Sequence, residues 1–107
     1  MPDDVFDLGR FAEPSLYILA SLTEGPKHGY AIMTDVETIS GVPMGPGTLY
    51  GALARLERRG LIEALEPEER RRPYRLTALG ATTLQAQLQQ LNSFVRTGLG
   101  RLEKRPS

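Results

Sequence analysis

Apolar residues along this chain recur mostly with the period of a helix, and each run stops at glycine or proline. Pro14 suits the first turn of a helix, where its missing N–H leaves no bond unmade. Leu16, Tyr17, Ile18, Leu19, Ala20 and Leu22 make that helix apolar nearly all round, which predicts a central place in the core. Gly25 and Pro26 end it. A second helix is predicted over about 28–38, with Ile32, Val36 and Ile39 as its core face and Tyr30, Thr34 and Glu37 on the other side. The turn-rich stretch 40–45 leads into a third helix that starts near Pro46 and stops at Gly60.

The third helix has two unlike faces. Leu49, Leu53 and Leu56 stack on one of them, at spacings of four and three. The opposite face carries Gly47, Gly51, Ala54 and Arg58, with Tyr50 on its flank. A glycine in a helix costs roughly 1 kcal/mol against alanine, so two of them on an outer face need a reason. Small residues there let something large approach, and a nucleic-acid groove is the leading candidate.

Two short strand-like runs follow, 61–65 and 74–76, separated by an arginine-rich polar loop; they predict a two-stranded hairpin. Pro67 and Pro73 mark the loop ends and make both strands short and edge-like. Thr77 then caps a last helix, in which Leu84, Leu88, Leu91, Val95, Leu99 and Leu102 step by fours and threes. Over 78–103 that helix is roughly 39 Å long, more than the preceding core can cover. A second copy of the chain is the expected partner; a helix folded back on its own domain is the alternative. Gly98 and Gly100 weaken its far end.

Composition bounds the chemistry. The chain has 107 residues, no cysteine, one histidine (His28) and a formal net charge of zero. That length predicts one domain. The missing thiols remove disulfides, thiolate metal sites and thiol nucleophiles together. With no paired carboxylates on an identifiable cleft, an enzyme is the weakest reading, and neither a cofactor nor a metal is expected. No apolar run is long enough to span a membrane and no signal-peptide pattern is present, so the chain reads as soluble, cytoplasmic and without a membrane partner. Charge is neutral in sum but uneven in place. Arg55, Arg58 and Arg59 fall together, as do Arg70, Arg71, Arg72 and Arg75, while acids gather at Asp3, Asp4 and Asp7 and at Glu66, Glu68 and Glu69.

Three helices, a basic hairpin and a long C-terminal helix define the expected class: mainly α with a small β-hairpin, a winged helix-turn-helix plus a long C-terminal dimerisation helix. Residues 1–13 form an acidic N-terminal arm, 14–77 a winged-helix DNA-binding domain, and 78–107 the dimerisation helix and tail. The third helix is then the major-groove reader and the hairpin loop the wing.

Three blocks, LTEGPKHGYAI, GPGTLYGALARLERRGLIE and RPYRLTALG, resemble the signature segments of PadR-type transcriptional regulators. The likeness covers residues 15–80 in order and spacing. It implies a winged-helix homodimer joined through its last helix, which represses promoters and is released by a small molecule, in the subgroup with a single C-terminal helix. Departures are visible. Gly45 stands where the family usually has a serine-like cap, Gly51 where it often has proline, and the wing reads EPEERRRPYR without the customary glycines. Some multidrug-binding relatives stack ligands on a tryptophan of the last helix; this chain has none, so that mechanism does not carry over.

The DNA-facing candidates are Lys27, His28, Tyr30, Gly45, Pro46, Gly47, Thr48, Tyr50, Arg55, Arg58, Arg71, Arg72 and Arg75. Tyr50 is the foremost, through its hydroxyl to a base edge or phosphate, the alternative being a tyrosine half packed into the core. Lys27 and His28 begin helix two, where a helix N-terminus attracts phosphate, although a histidine before Gly29 also serves as a structural cap. Arg55 and Arg58 suit phosphates better than bases. Leu84, Leu88, Leu91, Val95 and Leu99 are the dimerisation residues. Leu16, Leu19, Leu88, Leu91 and Phe94 are the candidate pocket for a small apolar or aromatic effector, with Phe94 also read as dimer core. The expected partners are double-stranded DNA with a two-fold symmetric site and a second copy of the chain. The competing function is a protein-interaction winged helix that does not bind DNA.

Overall fold

The computed structural model describes residues 14–106. The expected acidic arm, 1–13, lies outside the described residues. The elements are α1 (Pro14–Ser21), a 3-10 turn (Leu22–Glu24), β1 (Lys27–His28), α2 (Gly29–Ser40), α3 (Pro46–Arg58), β2 (Ile62–Ala64), β3 (Pro73–Leu76) and α4 (Ala78–Lys104). Among the described residues, no helix is long and apolar enough to cross a membrane.

The core forms where the apolar faces of three helices meet. Ile18 and Leu19 of α1, Ile32 and Val36 of α2, and Leu49, Ala52, Leu53 and Leu56 of α3 are all buried, joined by Ile62 and Leu84. The four-three spacing of α3 is thus its buried face. Ile39 departs from expectation: it falls in the last turn of α2, just before the left-handed Gly41, and stays 45% exposed.

The sheet has three strands where two were expected, in the order β1-β3-β2 and antiparallel throughout. β1 is only two residues long, Lys27 opposite Tyr74 and His28 opposite Pro73, so no alternation marks it in the sequence. The pairing makes β3 the central strand and corrects the edge assignment drawn from Pro73. Proline is tolerated at the first residue of a strand, and its carbonyl still accepts a bond from the Leu65 N–H at 2.8 Å.

The wing ends in a tight turn. Glu68 and Arg71 exchange both backbone hydrogen bonds, at 2.6 and 2.8 Å, around Glu69 (φ 48°) and Arg70 (φ 70°). Two positive φ values are those of a type I′ hairpin turn, a place usually held by Asn-Gly. Between this turn and the Ala64–Tyr74 pair, the β2 side carries one residue more than the β3 side, a bulge at the Glu66-Pro67 step.

The junction between α3 and α4 is built from backbone. Gly60 (φ 75°) closes α3 as the sequence predicts: its N–H reaches the Glu57 carbonyl and the Leu61 N–H reaches that of Leu56, both at 3.0 Å, which is a Schellman motif. Thr77 then caps α4. Its hydroxyl accepts from the Gly80 N–H at 3.0 Å and donates to the Gly60 carbonyl at 2.7 Å, while its own N–H bonds the Leu61 carbonyl at 3.1 Å. Gly80 lies so close to Leu61 that a Cβ there would run into the Leu61 carbonyl oxygen.

This junction decides how α4 leaves the domain. Its first turns lie on the core, and Leu84 is 5% exposed. Leu84, expected among the dimerisation residues, packs in the core of its own winged helix. Beyond it the stripe emerges: Leu88, Leu91, Val95, Leu99 and Leu102 are 46–61% exposed, and Phe94 is 73% exposed.

Candidate nucleic-acid interface

Pairing β1 with β3 swings the wing over the start of α2 and opposite the outer flank of α3. A groove of about 510 Å³ results, lined by His28, Gly29 and Tyr30 from β1 and α2, Tyr50 from α3, and Arg70, Arg71, Arg72 and Tyr74 from the wing and β3. Residues distant in sequence thus form one aromatic and cationic surface. Tyr30 and Tyr50 are largely exposed, and His28 accepts a bond at Nε2 from Nη1 of Arg71, 3.2 Å away.

The front of α3 is open. A Cβ at Gly45 or Gly47 would meet nothing within 4 Å, and one at Gly51 only the Arg55 guanidinium at 3.7 Å. None of the three has the positive φ that requires glycine. Nothing within the chain therefore requires glycine at these positions. Gly45 is the N-cap but offers no side-chain bond, so Pro46 at N1, Gly47 and exposed Thr48 start a helix whose first N–H groups have no side-chain cap. Such a terminus suits phosphate. Arg55 and Arg58 lie in the last turn, at the opposite end, where their charge also complements the helix dipole.

Other expected cations are already engaged. Lys27, expected to face phosphate, is bonded within the chain: its side chain is 17% exposed, and its Nζ reaches Glu24 at 3.1 Å, Asp35 at 3.6 Å and the Ser21 carbonyl. It holds the 3-10 turn to α2. His28 caps α2 through its backbone alone, its imidazole being turned to Arg71. Arg72 donates to the Leu65 carbonyl at 3.2 Å, bracing the bulge, and Arg75 pairs with Glu63 directly across the sheet. Arg70 sits at the wing tip.

Three groove residues were not among the sequence-derived candidates: Gly29, Arg70 and Tyr74. Arg70 was visible in the basic run. Gly29 carried no propensity signal, since the cost of glycine applies to helix interiors and this one begins its helix. Tyr74 had none, because only the sheet places it between Tyr50 and the wing. Burial holds the Tyr74 phenol above its ordinary pKa of 10.0; Glu57 and Tyr50 add to the rise and Arg72 opposes it.

The effector pocket was expected between paired C-terminal helices and the winged core, and a single chain shows only the part that α4 contributes. A groove of about 470 Å³ runs along α4, lined by Thr23, Ala81, Leu84, Gln85, Leu88, Gln89 and Asn92. Of the expected residues only Leu88 lines it. Leu19 is buried in the core, Leu16 packs against it, and Leu91 and Phe94 lie further out along α4.

The Transcriptional regulator PadR-like family matches this chain over residues 18–86, from α1 through the wing to the first turns of α4. The chain belongs to that family. PadR-family proteins are transcriptional regulators, not enzymes, and act through DNA. Solved structures agree in fold. A transcriptional regulator from Clostridium thermocellum is 30% identical with a TM-score of 0.71, covering 81% of this chain and 89% of its own. A PadR family transcription regulator from Clostridium difficile is 26% identical with a TM-score of 0.73, covering 83% and 96%. In sequence, the PadR-like chain is 46% identical over 76 residues to an uncharacterized 37.1 kDa protein in transposon TN4556 of Streptomyces fradiae; the match spans 71% of this chain and 22% of that protein.

Proposed function

We propose that this PadR-like chain is a homodimeric, sequence-specific DNA-binding repressor relieved by a small apolar or aromatic effector. The observation that carries the reading is the convergence of Tyr50, Tyr30 and the wing arginines on one groove beside the open front of α3. In this reading α3 enters the major groove, Tyr50 supplies a contact from its hydroxyl, and Gly47 and Gly51 give clearance. Arg70 and Arg71 of the wing hold the backbone, as do the uncapped N–H groups at the start of α3. The exposed stripe from Leu88 to Leu102 supports pairing of two α4 helices, which places two reading heads on a two-fold symmetric site. The effector's candidate seat is the groove of Leu84 and Leu88, which a second α4 would border.

Selection of bound duplexes from a random pool, followed by fluorescence anisotropy across salt concentrations, tests the reading. Enrichment of a palindrome with salt-steep affinity is expected. Substituting Arg70, Arg71 and Arg72 together by alanine should flatten the salt dependence and weaken binding. No enrichment, or an affinity unchanged in the triple variant, overturns it in favour of a winged helix that binds protein.

A further inference from the structure

We propose that Gly29 is a positioning residue for DNA recognition: by having no side chain, it sets where the Tyr50 hydroxyl stands at the start of α2. The inference rests on the DNA contact proposed above for Tyr50. Gly29 is the buried first residue of α2, and its φ is not in the left-handed region, so the backbone does not demand glycine. Space explains it. A Cβ at position 29 would lie 3.0 Å from Cζ and 3.2 Å from Cε1 of Tyr50, and nearer still to the hydroxyl oxygen. The phenol of α3 thus rests directly on the α2 backbone.

The contrast with Gly80 defines the role. There the obstacle is a backbone carbonyl, which cannot move without opening the α3–α4 junction. At Gly29 the obstacle is the far end of a half-exposed side chain. An added methyl group is accommodated by turning Tyr50 about its χ angles, which leaves the core intact. That turn lifts the hydroxyl off the first turn of α2, where unbonded N–H groups also point, and away from the groove it shares with the wing arginines. A phosphate or base edge that meets hydroxyl and N–H groups together then loses one of them.

A double-mutant cycle on the full chain tests this, with Gly29→Ala, Tyr50→Ala and the pair measured against the selected duplex. Each single change is expected to weaken specific binding about tenfold or more, the pair no further than Tyr50→Ala alone, and thermal midpoints to stay close. In the free protein, the Tyr50 ring resonances should shift in Gly29→Ala. Additive losses, wild-type affinity of Gly29→Ala, or unmoved ring resonances overturn the role. Undiminished binding by Tyr50→Ala removes Tyr50 from recognition and the Gly29 role with it. If the wild-type chain binds no DNA, the functional reading fails separately, and the ring resonances still report whether Gly29 places Tyr50.

Discussion

His28 and Arg71, 43 positions apart in sequence, meet at 3.2 Å between Nε2 and Nη1, so the start of α2 and the wing are joined by a side-chain bond as well as by the β1–β3 ladder. The pair is exposed and contributes little to stability, on the order of 0.2–1 kcal/mol at most for contacts of this kind. Its effect is on where the wing sits. His28→Ala should leave the thermal midpoint nearly unchanged yet speed amide hydrogen exchange at Arg71, whose N–H closes the wing turn. Arg71→Ala should do the same and weaken DNA binding more, since it also removes a cation. Equal exchange rates in His28→Ala and wild type would show that the ladder alone holds the wing.

The junction of α3 with α4 should respond sharply to single atoms. Gly80→Ala drives a methyl group into the Leu61 carbonyl, and overpacking of that sort costs about 1–3 kcal/mol. Thr77→Ala removes the cap on Gly80 and the bond to Gly60, at about 0.5–2 kcal/mol. Urea melts of both single variants and the pair measure these losses. Because both changes act on one junction, the pair should lose less than the sum; strict additivity would mean that cap and close approach are independent.

The α4 stripe makes a separate prediction. Leu88→Asp together with Leu91→Asp should yield monomers by light scattering while the far-ultraviolet helix signal is largely kept, because both residues lie outside the buried core. A dimer that survives both changes places the interface elsewhere.

Tyr74 predicts an alkaline limit. Its phenol is held above 10.0 in the fold by burial first and by Glu57 next, so the folded state keeps a proton that the unfolded state has lost. Stability is then whole below about pH 10 and falls as pH rises from there through the folded value. Tyr74→Phe should lessen that fall in melts taken at increasing pH, and should remove a component ionising above pH 10.0 from the tyrosine absorbance titration. An identical titration curve, scaled for one tyrosine fewer, would rule the shift out.

Local chemistry alone determined much of this protein. The four-three spacing of Leu49, Leu53 and Leu56 defines a buried helix face whatever it packs against, Gly60 ends α3 because few other residues take a left-handed C′ position cheaply, and Thr77 caps α4 through a bond within its own first turn. Those signals act over a few residues and are legible wherever they occur. The motif likeness extended this to the family.

Tertiary structure decided the rest, because the deciding contacts join residues far apart in sequence. No pattern marks the two-residue β1, which exists only because Pro73 and Tyr74 lie beside it and make β3 central. The crossing at Gly80 decides where α4 leaves the core, taking Leu84 inside and freeing the stripe from Leu88 onward. Ion pairing ties Lys27 to Glu24 and Asp35, and the folded wing brings Tyr74 and Arg70 into one groove with Tyr50. Even the clearest single residue, Tyr50, has its side chain placed by a glycine on another helix, a relation that three-dimensional packing alone could impose.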